Sequence, residues 1–169
     1  MEALWIVLIV LGVFALLLLA FLALIYYKCF YNNVKNKGKS LKPLTGPQYE
    51  PFDDEMNALI SNVKKIPYED AWIKSYDNKK LHAQVYIRDI KKPFAILVHG
   101  YRGSGIRDFA GGLGYYLNQG FNAILIDHRG HGLSDGKTIT FGIKERKDLV
   151  SWINYTIETY GNDVEILLT

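Results

Sequence analysis

Phe94 to Gly105 reads F-A-I-L-V-H-G-Y-R-G-S-G, and the rest of the 169-residue chain is arranged around it. The five apolar residues Phe94 to Val98 are short and rich in β-formers, which predicts a fully buried strand. The run breaks abruptly into His99-Gly100 and a loop with three glycines, Gly100, Gly103 and Gly105. Glycine is used where φ must turn positive or where main chain must come close to a neighbour, so the loop delivers bare backbone at a strand tip. A plain strand-to-helix turn would use the same residues, so the surrounding elements have to decide.

Upstream, Ala71 to Tyr76 and Leu81 to Ile87 are extended stretches separated by Asp77-Asn78-Lys79-Lys80. Turn-forming residues between two such runs predict a β-hairpin, closed by Lys91-Lys92-Pro93. Ahead of it, Asp53, Asp54 and Glu55 open a short amphipathic helix with Met56, Leu59, Ile60 and Val63 on one face. Lys64 and Lys65 end that helix before Pro67.

Downstream, Phe109, Leu113, Tyr116 and Leu117 fall at helical spacing, and Gly120 supplies a stop. Gly111, Gly112 and Gly114 each weaken such a helix by about 1 kcal/mol, which suggests close packing on a sheet. Ala123 to Ile126 is a second buried strand ending at Asp127, followed by a polar loop from His128 to Thr140. Ile143 to Tyr160 has the strongest helical pattern, with Leu149, Val150, Ile153 and Ile157 inward and Gly161 as its stop. Val164 to Leu168 is a third apolar strand. Strands alternating with helices predict an α/β domain over residues 52–169, a mostly parallel sheet with right-handed crossovers and helices on both faces. No helix follows the last strand to cover it, so the chain reads as the first part of a domain, its last strand an apolar edge prone to aggregation.

The apolar content, 49% overall, is concentrated at the other end. Residues 3–27 carry no charge and would be about 37 Å long as a helix, more than the roughly 30 Å hydrocarbon core. This stretch, residues 1–27, reads as a transmembrane helix, so the lipid bilayer is an expected partner. A cleaved secretory signal fits less well, because Glu2 is the sole charge ahead of the run and a basic n-region is missing. Lys28, Lys35, Lys37, Lys39 and Lys42 crowd the far flank within a polar linker, residues 28–51, and the positive-inside rule then places the soluble part in the cytoplasm. These lysines account for the formal charge of +3, and the remainder is close to neutral. The basic balance is thus membrane-proximal and argues against a nucleic-acid partner. The single cysteine, Cys29, cannot form an internal disulfide and sits at headgroup level, where palmitoylation is conceivable and a plain interfacial residue is the simpler account.

Two motifs, H-G-Y-R-G-S-G at His99 to Gly105 and D-H-R-G-H-G-L-S-D-G at Asp127 to Gly136, each follow a strand directly. In order and spacing, Tyr68 to Thr169 resembles the N-terminal part of an α/β-hydrolase-fold serine hydrolase. The second motif is similar to that of the lysophospholipase-like and serine-aminopeptidase-like branches. The first departs from lipase relatives, which tend to place another glycine or an acid after His-Gly. The resemblance implies that His99 and Gly100 shape an oxyanion loop and that the Tyr101 backbone N–H is one of two oxyanion donors. It also implies structural roles for Asp127, Arg129 and Ser134. The nucleophilic serine is expected at a G-x-S-x-G elbow just after the last strand, with acid and histidine later still, all beyond Thr169. The implied activity is hydrolysis of a small-molecule or peptide ester or amide through an acyl-enzyme, without a cofactor or metal, and this stretch alone is not expected to turn over substrate.

Several other patterns compete. Gly132-Leu133-Ser134-Asp135-Gly136 matches G-x-S-x-G by letter, but a nucleophile elbow turns directly from strand to helix and this one lies well inside a loop. Gly136-Lys137-Thr138 ends like a phosphate-binding loop, yet His131 stands where its first glycine is required. Gly100, Gly103 and Gly105 are spaced in the reverse of a dinucleotide-binding fingerprint, which leaves a nicotinamide-dependent oxidoreductase as one alternative. A non-catalytic, membrane-tethered interaction module is the other. His128 and His131, three apart beside Asp127, invite a metal reading but lack a third preorganised ligand. His82, in a hairpin strand, is expected to face solvent or to be a satisfied polar residue. Tyr115, Tyr116, Tyr155 and Tyr160 are more simply packing residues than substrate stackers.

Overall fold

The computed structural model describes residues 2–32 and 45–169. Lys35, Lys37, Lys39 and Lys42, on which the expected orientation rests, lie outside the described residues. Helix α1 spans Glu2–Ile25 and buries none of its residues. It runs on into a π-helical turn, Tyr26–Phe30, closed by the Tyr31 N–H donating to the Tyr26 carbonyl at 3.0 Å. The 29 residues Glu2–Phe30 form a helix long and apolar enough to cross a membrane.

Helix α2, Asp53–Val63, begins where expected and buries Ile60 and Val63. Strands β1, Glu69–Lys74, and β2, Lys80–Tyr86, pair antiparallel as the expected hairpin, with Trp72 opposite His82. Strand β3 is Phe94–Val98, β4 is Asn122–Ile126 and β5 is Ile166–Leu168. The five strands form one sheet in the order β1-β2-β4-β3-β5. β3 pairs parallel with β4 and with β5, while β2 joins β4 antiparallel, so the sheet is mixed. The antiparallel junction is not legible in the sequence, because period-2 patterning says which face a residue takes and not which strand lies next door.

Alternation along β3 and β4 divides the core. Phe94, Ile96, Ile124 and Ile126 face the cluster that holds Trp152. Ala95, Leu97, Ala123 and Leu125 face the one that holds Val63, Leu113 and Leu117. The chain moves from β3 to β4, then returns past β3 to β5. Right-handed crossovers in opposite directions put their helices on opposite faces. β5 lies at one end of this strand order, with Leu167 and Leu168 exposed.

Three details differ from expectation. The helix after the glycine loop breaks into α3, Gly105–Asp108, and α4, Gly112–Asn118. Close packing falls at Gly105, whose missing Cβ would stand 2.6 Å from Leu125 Cγ. It does not fall at Gly111, Gly112 or Gly114, where a Cβ would meet only ordinary contacts or open space. Finally, α5 covers Glu145–Tyr160 and buries Glu145, Asp148, Trp152 and Thr156, leaving Val150 exposed. The helix is rotated because its two buried carboxylates have partners: Glu145 accepts the N–H and hydroxyl of half-buried Thr140, and Asp148 pairs with buried Arg129.

Candidate active site

The carboxyl ends of parallel strands collect the loops that follow them, and ligands of open α/β sheets bind there. In this chain the loops after β3 and β4 meet over one end of the sheet. His99 closes β3 and is 2% exposed. Its Nδ1–H donates to the Gly100 carbonyl at 2.9 Å, and its Nε2 accepts the His128 N–H at 3.2 Å, so both ring nitrogens are used in the neutral form. Burial, with His128 close by, pushes its pKa down to about 4. The rings of His128 and His131 approach it edge-on, with centroids 4.7 and 4.8 Å away. Burial lowers both of their pKa values as well. Among the described residues no group of His, Cys, Asp or Glu is placed to hold a metal ion.

The loop after β3 is braced by a residue that the sequence did not single out. Asp108 Oδ2 accepts the Gly100 N–H at 3.2 Å, and the Gly103 N–H donates back to the Gly100 carbonyl at 3.0 Å. A Cβ on Gly103 would strike that carboxylate, so the glycine is needed for close approach. Positive φ falls instead on Arg102, at +52°. With an acid against the loop amides, a pyrophosphate would be repelled, which counts against dinucleotide binding. The Tyr101 N–H has no hydrogen-bond acceptor among the described residues. The Tyr101 ring stacks on Phe141 at 5.0 Å and its hydroxyl donates to the Cys29 carbonyl at 2.8 Å. Val98, His99, Tyr101, His128, His131 and Phe141 line a cavity of about 340 Å³.

The loop after β4 is held by buried polar groups. Asp127 Oδ2 accepts the Leu133 N–H at 2.9 Å and lies 2.7 Å from His82 Nδ1. His82, far from facing solvent, is 2% exposed and also reaches Asp70 through Nε2 at 2.8 Å. Burial pulls its pKa down, but the bonds to Asp127 and Asp70 outweigh that and raise it. Arg129 is buried too and donates to both oxygens of Asp148, at 2.6 Å each, and to both oxygens of Asp77, at 3.0 and 3.1 Å. Ser134 Oγ donates to the Asp127 carbonyl at 2.7 Å and accepts the His82 N–H at 2.8 Å. Such a hydroxyl, 2% exposed with both roles taken, fastens the loop and has no opening to attack a substrate.

The segment that leaves α1 docks on the same loops. Arg102 donates to the Lys28 carbonyl at 2.6 Å and the Asn32 side chain donates to the Gly130 carbonyl at 2.7 Å. Main-chain bonds join Asn32 N–H to Lys137 O at 2.9 Å and Ile139 N–H to Phe30 O at 2.8 Å. This contact had no signal in the sequence, because it is mostly made to backbone atoms that every residue has.

No family model and no curated protein matches the chain. Solved structures do. The esterase Pf2001 of Pyrococcus furiosus is 27% identical, with a TM-score of 0.53 over 63% of this chain and 43% of its own. The α/β-hydrolase GrgF from Penicillium sp. sh18 is 20% identical, with a TM-score of 0.56 over 60% of this chain and 36% of its own. The fold is that of the α/β-hydrolases. This chain spans less than half the length of either of those two proteins.

Proposed function

We propose that the chain is the N-terminal portion of a membrane-anchored serine hydrolase that cleaves a small-molecule or peptide ester or amide through an acyl-enzyme. The observation that carries this reading is the position of Thr169. Val98 N–H donates to the Thr169 carbonyl at 2.8 Å, and Thr169 N–H donates to Ile96 O at 3.1 Å. A residue following Thr169 would therefore emerge beside His99 and Tyr101, where a serine at a strand-to-helix elbow would face the Tyr101 amide. A tetrahedral intermediate carries its negative charge on the former carbonyl oxygen, and that amide is a preorganised donor for it. His99 and Gly100 shape the loop, and neutral His99 holds it by accepting from His128. The esterase activity named for Pf2001 supports the reaction class. In this reading residues 1–27 anchor the protein, residues 28–51 tether it and residues 52–169 begin the catalytic domain. The lysine-rich flank favours the cytoplasmic side.

The test is a protein extended through the residues that follow Thr169, treated with a fluorophosphonate probe. Covalent labelling of a serine within a few residues of Thr169, lost on replacing that serine by alanine, is the expected result. Labelling at Ser134, or absence of a serine elbow in the extension, would overturn the proposal.

A further inference from the structure

The end of α1 is built into the face that carries the site. α1 buries none of its residues, so it projects away from the domain and does not lie along it. The helix Glu2–Phe30 would measure about 43 Å, longer than the roughly 30 Å hydrocarbon core, which leaves its last turn at headgroup depth. That turn is where the domain is held: the Phe30 ring meets Phe141 at 5.3 Å, and Arg102 and Asn32 make the bonds given above. Beside the contact two large apolar side chains stand exposed, Phe141 at 58% and Ile143 at 68%. Lys137 and Lys144 flank these residues, which suits a layer of phosphate groups. Large exposed apolar side chains with basic neighbours are the composition of an interfacial surface.

We propose that this face is a bilayer-docking surface, with Phe141 and Ile143 seated in the interfacial layer of the membrane that α1 crosses and the His99 cavity opening toward that layer. The inference rests on the reading of α1 as a membrane anchor. Residues at the amino ends of the strands, such as Asp163 ahead of β5, then point into water. An acyl substrate would reach the cavity from the membrane surface.

The experiment uses the protein extended through the residues that follow Thr169 and freed of native cysteines, with Cys29→Ser among the changes; that change keeps the Cys29 carbonyl that Tyr101 bonds. Single nitroxide labels are placed on Val13→Cys, Ile143→Cys and Asp163→Cys, and the proteins are reconstituted in vesicles of phosphatidylcholine with phosphatidylglycerol. Collision rates with oxygen, which partitions into lipid, and with a water-soluble nickel chelate report depth. Oxygen-favoured labels at 13 and 143, with a nickel-favoured label at 163, are expected. A lipid-embedded label at 13 with a water-exposed one at 143 overturns the docking surface and leaves the anchor standing. A label at 143 shielded from both reagents means that protein covers the face, and also overturns it. A water-exposed label at 13 removes the anchor itself, and the inference with it.

Discussion

His82 Nδ1 lies 2.7 Å from Asp127 Oδ2, so a single ring on β2 holds the tip of β4, while its other nitrogen reaches Asp70 on β1. The His82 pKa is raised above 6.5 and that of Asp127 is lowered below 3.8. For the histidine, stability is fully present below 6.5 and is lost as pH rises through the folded value. For the aspartate, it is present above 3.8 and is lost as pH falls through the folded value. The stability lost in His82→Gln is therefore expected to be greatest between these limits and to shrink on the alkaline side. Thermal unfolding of both proteins across pH checks this, and a pH-independent difference would show that the imidazolium is not what holds the loop.

His99 works in the opposite sense. Its pKa is pushed from 6.5 to about 4, so the unfolded chain takes up a proton first and stability falls as pH drops through that window. The full effect is about 3 kcal/mol. His99→Asn is expected to flatten the acid limb of the stability curve by that amount, read from denaturant midpoints at a series of pH values.

Arg129 and Asp148 are both 2% exposed and bonded through two contacts. Removing one partner leaves a buried, uncompensated charge, so Arg129→Met is expected to cost about 3–5 kcal/mol. The double change Arg129→Met with Asp148→Leu should recover much of that loss in the same unfolding measurement. Equal destabilisation of single and double variants would contradict the pairing argument.

Two glycines should respond with opposite signs. A Cβ at 105 would press on Leu125, so Gly105→Ala is expected to destabilise by about 1–3 kcal/mol. At 114, inside α4, a Cβ meets nothing within 4 Å. Gly114→Ala should stabilise by about 0.5–1 kcal/mol through reduced chain entropy. Melting temperatures of the two variants decide the matter.

In the extended enzyme, Tyr101→Pro removes the proposed oxyanion donor. A fall of about 10²–10³-fold in kcat is expected, with little change in KM, because the donor acts on charge that develops in the transition state. Tyr101→Phe keeps the amide and should keep most of the activity toward an activated ester. A similar loss in both variants would mean that the side chain, through its bond to the Cys29 carbonyl, is what matters.

Much of the fold was legible because burial imposes a period. Phe94 to Val98 is the strand the sequence indicates, residue for residue, since an apolar run that short, bounded by Pro93 and by His99-Gly100, suits a buried strand better than a helix. α2 and the hairpin were readable from end-charge and turn residues in the same way. Helix α5 departs from its hydrophobic pattern on one face, because its buried stripe includes Glu145 and Asp148, and a carboxylate is buried only when something pairs with it. Hydrophobic spacing alone turns Val150 inward, and the paired carboxylates turn it out.

What the sequence determined by itself is the local chemistry: the apolar span, the β3 strand, the glycine loop and the two motifs after β3 and β4. Each follows from the tendency of neighbouring residues to bury or to bend. What only the tertiary structure decided is which distant groups meet: β2 against β4, Asp108 under the Gly100 amide, His82 between Asp70 and Asp127, and Tyr26–Asn32 on the site loops. These partners are set by the crossover path and by backbone hydrogen bonds, neither of which depends on the spacing of side chains along the chain.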